Sequence, residues 1–349
     1  MPISSPQEFF IQWHLTERCN LSCTHCYQTG GKMEELTIAE IRDVLDEITD
    51  MLKAWSRTYR LEFSPSLNIT GGEPLLRKDL FEILSEMRAA GFAIYLLTNG
   101  TLIDPEKAEH LAMLGIKGVQ VSMEGPEKVH DSIRGRGSFA ASCRGIRNLI
   151  QAGLRVTLNA TLSEINAEKF YEMVEVASAL DAQRLGFSRL VPSGRGLGLV
   201  NQMIDRQKIG EIYESIFALS TDGLEIVTGD PVASQMRNGG KAVDCGSVAV
   251  GGCAAGISGL TLLPDGTVTP CRRLALPIGN VRKDSLREIW ADSEILQQLR
   301  DRSQYKGQCG KCAAWAVCRG CRAIAYAHSL ARGAGDLLAD DPQCFINCS

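Results

Sequence analysis

The sequence predicts an α/β fold in which a partial (β/α)6 barrel precedes a cysteine-rich C-terminal domain. Three observations support this prediction. Short apolar segments alternate with amphipathic helical segments from about residue 9 to about residue 190, as in a parallel sheet with helical crossovers. Cysteines are concentrated at the two ends of the chain, with nine of them from Cys245 to Cys348. The segment that holds those nine is rich in glycine and has little hydrophobic periodicity.

The composition is that of a globular protein with one large domain and one smaller domain. The chain has 349 residues, of which 44% are hydrophobic and 22% are charged. A net charge of -4, from 37 Lys and Arg against 41 Asp and Glu, argues against general nucleic-acid binding. Apolar runs stay well short of the roughly 20 residues that span a bilayer, and the start, MPISSPQEFF, lacks the features of a signal peptide. We therefore expect a cytoplasmic protein with no nucleic-acid or membrane partner.

The barrel elements follow one another in order along the chain. Strands are expected at 9–15, 67–70, 93–98, 118–122, 155–161 and 184–190. The first helix is expected to begin at Thr37, where Glu40 completes a capping box. Further helices are expected at 80–90, from the Asp104 N-cap to Met113, at 139–152 and at 166–180. About six such units predict an incomplete TIM-like barrel, with functional residues at the carboxyl ends of its strands.

The pattern changes after the sixth strand. Residues 192–200 (PSGRGLGLV) interrupt it with proline and glycine, and a helix at 208–219 follows. We expect a barrel domain at 8–200, a helical bridge at 201–244 and a cysteine-rich domain at 245–349, with one helix at 285–300. Because the last domain has a thin core, metal binding is expected to supply part of its folding energy.

The 13 cysteines indicate metal binding, because clustered thiols without an export signal do not fit a disulfide framework. Cys143 stands apart and is expected to be a small buried hydrophobe. Cys19, Cys23 and Cys26 come directly after the first strand. Three thiolates in so short a loop can hold three irons of a cubane cluster and leave the fourth iron free. A zinc knuckle, or a ferredoxin-like loop with a fourth ligand elsewhere, is the alternative.

This spacing, together with Gly71-Gly72-Glu73-Pro74 after the second strand, resembles the radical S-adenosylmethionine (SAM) superfamily. The resemblance implies that Cys19, Cys23 and Cys26 are catalytic, since they hold the 4Fe–4S cluster whose free iron binds the methionine end of SAM. The segment 71–74 would hold the amino group of SAM. The reduced cluster would cleave SAM to a 5′-deoxyadenosyl radical, which takes a hydrogen atom from the substrate.

Three further segments resemble motifs of that family. Thr98-Asn99-Gly100 closes the third strand, and Val121–Gly125 contains Ser122 and Glu124 where the family usually has VSxDG. Arg134 lies in a segment that resembles an arginine-bearing turn. The resemblance implies that Asn99, Ser122, Glu124 and Arg134 contribute to cofactor binding. For Ser122 and Arg134, a structural hydrogen bond in a loop is the alternative.

The C-terminal cysteines resemble the SPASM domain, which implies two auxiliary 4Fe–4S clusters and three clusters in all. The implied ligands of the first are Cys245, Cys253, Cys271 and Cys321, and those of the second are Cys309, Cys312, Cys318 and Cys344. The family usually has three residues before the last cysteine of the central run, whereas this chain has two, Arg319 and Gly320. Cys348 has no assignment, and a structural zinc domain is the alternative.

The resemblance leaves the substrate open. A peptide or protein that is crosslinked or oxidised is the first hypothesis, a tetrapyrrole of the haem d1 or haem pathway is the second, and a non-catalytic iron–sulfur or zinc scaffold is the third. Arg272 stands where sulfatase-maturing relatives carry an aspartate, which argues against that reaction. Together with Arg189, Arg195 and Arg273, it is a candidate to meet a substrate carboxylate.

The expected partners follow from this chemistry. A reductant such as flavodoxin or ferredoxin would supply the electron. About ten residues precede the first strand, so a peptide substrate would be recognised by a separate leader-peptide-binding protein or by the catalytic domain itself.

Overall fold

The computed structural model describes residues 6–31, 33–221, 223–237 and 248–346. The expected ligand Cys245, the unassigned Cys348 and part of the expected bridge boundary lie outside these residues. Within them, ten strands form a single sheet.

The first six strands confirm the partial barrel. They are β1 (Gln7–His14), β2 (Phe63–Thr70), β3 (Ala93–Thr98), β4 (Gly118–Ser122), β5 (Val156–Leu162) and β6 (Arg184–Arg189). Each pairs in parallel with the next. His14 is opposite Thr70 in the register, so the first cysteine loop and the glycine pair both leave the sheet at its carboxyl edge.

Twelve α-helices are assigned among the described residues, and those of the barrel follow the strands as expected. They are α1 (Ile38–Tyr59), α2 (Leu80–Ala89), α3 (Pro105–Met113), α4 (Glu127–Arg134), α5 (Ser138–Gln151), α6 (Phe170–Ala179), α7 (Arg206–Ala218), α8 (Ala233–Arg237), α9 (Leu286–Asp292), α10 (Glu294–Arg300), α11 (Gly307–Lys311) and α12 (Arg322–Ala331). Short 3-10 helices lie at Pro74–Leu76, Ala167–Lys169, Gly194–Gln202, Arg302–Gln304 and Trp315–Val317. The capping box forms, since the Thr37 side chain accepts from the Glu40 amide and the Glu40 carboxylate accepts from the Thr37 amide.

Two helix predictions need correction. The single helix expected at 285–300 is two helices, because Ser293 has extended backbone angles and its hydroxyl accepts a hydrogen bond from the Leu296 amide at the start of α10. The segment 166–180 begins as a 3-10 turn. Helix α4 was not predicted, since it is only eight residues long and mostly polar.

The sheet continues beyond the six barrel strands at both edges. Strand β7 (Glu225–Val227) pairs in parallel with β6, and β8 (Gly259–Leu262) pairs in parallel with β1. Strands β9 (Thr267–Thr269) and β10 (Gly279–Asn280) then follow β8 in antiparallel pairing. The cysteine-rich region therefore shares the sheet of the barrel.

The core lies between the sheet and its helices. Trp13 on β1 and Leu15 directly after it are fully buried, as are Ile41 and Ile48 on the inner face of α1. Cys143 is also buried among hydrophobic residues, as expected of a small hydrophobic side chain. Of the helices described, none is both long enough and apolar enough to cross a bilayer.

Candidate active site and cysteine pockets

A cavity opens at the carboxyl edge of the barrel strands. Eight of the predicted catalytic and cofactor-binding residues contribute to its wall: Cys19, Cys23, Cys26, Gly71, Gly72, Asn99, Ser122 and Arg134. The other three, Glu73, Pro74 and Glu124, are buried and do not line it.

The three thiols of the first loop are surrounded by hydrogen-bond donors. The Leu21 amide lies 3.4 Å from the Cys19 sulfur, and the Arg134 Nη1 lies 3.8 Å from the Cys23 sulfur. The Arg195 side chain donates to Cys26. N–H groups directed at sulfur stabilise thiolates and tune iron–sulfur clusters, so this donor set fits a cluster held by three cysteines.

Burial raises the pKa of the Cys19 and Cys23 thiols. Both are therefore protonated in the free protein at neutral pH, and a bound metal would displace those protons. Among the described residues, no three His, Cys, Asp or Glu side chains converge closely enough to coordinate one metal ion.

The glycine pair holds the cysteine loop against β2. A Cβ on Gly71 would lie 2.4 Å from the Thr16 carbonyl oxygen, and one on Gly72 would lie 2.3 Å from the Arg18 carbonyl oxygen. The Gly72 amide donates to Thr16 O at 2.7 Å. Only glycine permits this approach of two backbones. The pair thus places the segment that leads into Cys19, in addition to lining the cavity.

Glu73 organises the end of β3. Its carboxylate, fully buried, accepts hydrogen bonds from the Thr98 hydroxyl at 2.8 and 2.9 Å and from the Asn99 amide at 2.9 Å. Burial raises the pKa of Glu73 to about 7, although these donors and the Leu75 amide oppose the rise. The expected contact with a SAM ammonium stays a prediction, and the observed contacts give Glu73 a positioning role.

Glu124 lies behind the cavity wall, where it orients Arg134. Its carboxylate accepts from Arg134 Nε at 2.9 Å and from the Thr161 amide at 2.8 Å, and it lies 3.2 Å from His25 Nε2. Burial disfavours the charged carboxylate, but Arg134 and His25 outweigh it and hold the pKa of Glu124 well below its usual range. The expected contact of Glu124 with SAM stays a prediction, and the observed contacts give Glu124 a positioning role toward Arg134. His25 was missed, although its place directly before Cys26 was visible in the sequence.

The glycine-rich segment after β6 covers the cysteine loop. The Arg195 amide donates to Gln28 O at 3.2 Å, and the Gly196 amide donates to Cys26 O at 3.1 Å. Gly194 has a φ of 56°, and a Cβ there would lie 2.2 Å from the Tyr27 carbonyl oxygen. The sequence marked this segment only as a break in the barrel pattern, whereas it positions the third thiol.

A second pocket is lined by Cys253, Cys271 and Cys321, which are the described members of the first expected auxiliary set. Its wall and that of the catalytic cavity share four residues, Leu97, Gln120, Arg272 and Arg273. The two spaces are therefore neighbours inside the barrel. Burial raises the pKa of Cys321 to about 12.

A third pocket is lined by all four cysteines of the second expected auxiliary set, Cys309, Cys312, Cys318 and Cys344. The Arg322 Nη2 lies 3.5 Å from the Cys309 sulfur, and burial raises the pKa of Cys318 to about 12.

The suggestion that Arg189 meets a substrate carboxylate is wrong. Its guanidinium is fully buried and already bonded to two carboxylates, those of Asp230 at 2.6 Å and Asp341 at 2.8 Å. A fully paired, buried guanidinium is not available to a ligand. Arg195, Arg272 and Arg273 line the catalytic cavity together with Arg189.

Comparison with known proteins gives two family matches. Residues 13–177 match the radical SAM superfamily, and residues 253–322 match SPASM, an iron–sulfur cluster-binding domain.

Several types of protein align with this chain over almost its whole length. The AdoMet-dependent heme synthase of Nitratidesulfovibrio vulgaris is 31% identical over 97% of this chain and 93% of its own. The pre-heme d1 synthase of Dinoroseobacter shibae is 31% identical over 96% of this chain and 82% of its own. The mycofactocin maturase MftC of Mycobacterium tuberculosis is 31% identical over 96% of this chain and 82% of its own. Streptococcus suis SuiB, solved with its precursor peptide SuiA, has the same fold, with a TM-score of 0.74 and 16% identity over 99% of this chain and 77% of that one.

Proposed function

This chain belongs to the radical SAM superfamily and carries a SPASM iron–sulfur cluster-binding domain, and we propose that it starts radical chemistry on a peptide or protein substrate. The observation that carries the proposal is the meeting of three thiols with the Gly71–Gly72 turn in one cavity. Three protein ligands leave one iron of a cubane cluster for SAM.

The residues of this chain bind and orient the reacting groups. Cys19, Cys23 and Cys26 would hold the cluster, and a reduced cluster bound there would supply one electron for the cleavage of SAM into methionine and a 5′-deoxyadenosyl radical, which would take a hydrogen atom from the substrate. The Leu21 amide and Arg134 donate to the first two sulfurs. Arg195 and the two arginines shared with the second pocket, Arg272 and Arg273, line the same cavity.

We also propose three clusters in total. The second and third pockets each bring together the cysteines of one expected auxiliary set, apart from Cys245, which lies outside the described residues. A flavodoxin or ferredoxin would reduce them, and a reducing compartment such as the cytoplasm would preserve the thiols.

The first candidate substrate is a peptide, and a named maturase among the relatives supports it. MftC, named as a maturase, aligns over 96% of the chain. Recognition of the rest of a peptide would fall to the outer surface of the catalytic domain or to a separate leader-peptide-binding protein.

A tetrapyrrole is the second candidate. Relatives named as a heme synthase and a pre-heme d1 synthase align over 97% and 96% of the chain. The arginines of the cavity would suit propionate groups as well as acidic side chains.

The test is anaerobic reconstitution with iron and sulfide, followed by SAM and dithionite and by mass spectrometry for 5′-deoxyadenosine. We expect slow release of this nucleoside without substrate. Stimulation by a peptide encoded beside the gene would support the first candidate, and stimulation by coproporphyrin III would support the second. Full release by the variant with Cys19, Cys23 and Cys26 all changed to Ala would contradict the assignment.

A further inference from the structure

Arg272 and Arg273 line both the catalytic cavity and the second pocket, but their surroundings differ. The Arg273 Nη1 donates to Arg189 O at 3.2 Å, and its favourable electrostatic partners are the Cys321 and Cys271 thiols and the Asp230 carboxylate. Arg272 has no such partner among the carboxylates of the described residues. Its guanidinium carbon lies 5.8 Å from the centroid of the Tyr27 ring, which offsets only part of the cost of burying a charge.

The catalytic cavity as a whole has an excess of positive charge. Its described lining contains five arginines and no aspartate or glutamate. Two of the five, Arg134 and Arg189, are paired with carboxylates behind the wall. Arg195 donates to the Cys26 sulfur. Arg272 is thus the arginine of the cavity that forms no hydrogen bond and no ion pair with a carboxylate among the described residues; its favourable neighbours there are the Tyr27 ring and the Cys271 thiol.

Arg272 is half-buried and lines the cavity. A guanidinium in such a site without a carboxylate partner is stabilised by a bound anion. The planar guanidinium fork matches a carboxylate in two parallel hydrogen bonds. We propose that Arg272 binds a carboxylate of the substrate and so directs the substrate toward the first cysteine loop. This inference rests on the proposed function, since it names the chemistry that the same cavity recognises.

SAM also carries a carboxylate, but other arginines are better placed for it. Its methionine end is expected beside the free iron, and Arg134 and Arg195 are the arginines that contact the thiols of that loop. The electrostatic partners of Arg272 are instead Tyr27, Arg273 and Cys271. Arg272 therefore belongs to the substrate part of the cavity.

The test is calorimetric binding to the reconstituted full-length protein, with SAM present and no reductant. Two pairs of probes are used: N-acetyl-glutamate N-methylamide against its glutamine analogue, and coproporphyrin III against its tetramethyl ester. In the unchanged protein, the acid of at least one pair is expected to bind about tenfold or more tightly than its neutral analogue, because a hydrogen bond to a charged group contributes that much.

Arg272→Gln should abolish the preference for the acid, and Arg272→Lys should retain part of it as a point charge without the fork. Arg144→Gln, on the exposed face of α5, is the matched control and should keep the full preference. Iron content and SAM affinity are measured for every variant, and both should equal those of the unchanged protein.

Two results would overturn the inference. One is equal binding of acid and neutral probes by the unchanged protein for both pairs. The other is a loss of SAM affinity in Arg272→Gln that matches its loss of probe affinity. That result would mean that Arg272 binds the carboxylate of SAM and not one of the substrate. Absence of 5′-deoxyadenosine release under dithionite would instead contradict the proposed function and leave the probe measurements unaffected.

Discussion

The guanidinium of Arg189 and the carboxylate of Asp341 form two hydrogen bonds of 2.8 Å across 152 positions of sequence. Both side chains are fully buried. The same carboxylate accepts from the Cys321 amide at 2.7 Å, and the Cys344 amide donates to the Asp341 carbonyl at 3.1 Å. One ion pair therefore fixes the end of β6 relative to a cysteine of each auxiliary pocket.

Loss of this guanidinium should destabilise the protein strongly. In Arg189→Met, the carboxylates of Asp230 and Asp341 would be buried without a counter-charge, which costs about 3–5 kcal/mol. We expect a large fall in the unfolding midpoint and a loss of auxiliary iron, measured by anaerobic thermal unfolding and iron analysis.

The matched control is Arg184→Met. Arg184 lies on the same strand as Arg189, and this variant removes its half-exposed ion pair with Glu225 on β7. It should cost no more than about 1 kcal/mol. Equal midpoints for the two variants would contradict the role assigned to Arg189.

Cys271→Ala tests the first auxiliary pocket. We expect loss of one cluster, about a third of the iron, because Cys271 lines this pocket with Cys253 and Cys321. Iron and sulfide analysis with the optical spectrum would measure it. Cys143→Ala, at the buried lone cysteine, is the control and should keep all the iron. An unchanged iron content in Cys271→Ala would exclude Cys271 as a ligand.

Gly72→Ala tests the close approach of the glycine turn to the cysteine loop. The added Cβ would lie 2.3 Å from the Arg18 carbonyl oxygen, so the backbone beside Cys19 must move. A displacement of about 1 Å can cost roughly a hundredfold in rate, and we expect a loss of this order in 5′-deoxyadenosine release per cluster. Gly31→Ala, with no heavy atom within 4 Å of its Cβ, should have no such effect. Normal release by Gly72→Ala would show that the loop tolerates the shift.

Glu73 should make stability depend on pH. Since burial raises its pKa from 4.5 to about 7 in the folded protein, the unfolded chain ionises first as pH rises. The folded protein therefore binds more protons over this interval, and its stability falls with rising pH, by at most about 3 kcal/mol over the whole interval. Comparison with Glu73→Gln removes the contribution of other groups.

The measurement is the difference in unfolding midpoint between the unchanged protein and Glu73→Gln, taken in steps from slightly acidic to slightly alkaline pH. The unchanged protein should lose stability relative to the variant as pH rises toward 7, and the difference should then level off. A difference that is constant with pH would mean that Glu73 titrates normally.

The periodicity of the sequence predicted the six barrel strands because each is followed by an amphipathic helix that must cover the sheet. Strands β7 and β8 have only three and four residues, too few for a periodic pattern, and their pairing depends on the barrel edges that receive them. The break in the helix at Ser293 depends on a single side chain that caps α10.

At the site, the thiols and the glycine turn could be predicted from the sequence, since each is a short local motif and the two together resemble a family pattern. The roles of Glu124 and Arg189 could not be read in this way. Each forms its contacts with residues from distant segments, such as Thr161 for Glu124 and Asp341 for Arg189. Whether an arginine meets a ligand or a buried carboxylate is decided by tertiary packing.

The pairing of β8 with β1 places a strand of the cysteine-rich region beside the strand that leads into Cys19. A shortened barrel that ended before this strand would present the N–H and C=O groups of β1 to solvent as an open edge. Open edges promote aggregation. The barrel is therefore a poor candidate for separate expression, and any engineered division of the protein should keep residues 259–262 with the N-terminal part.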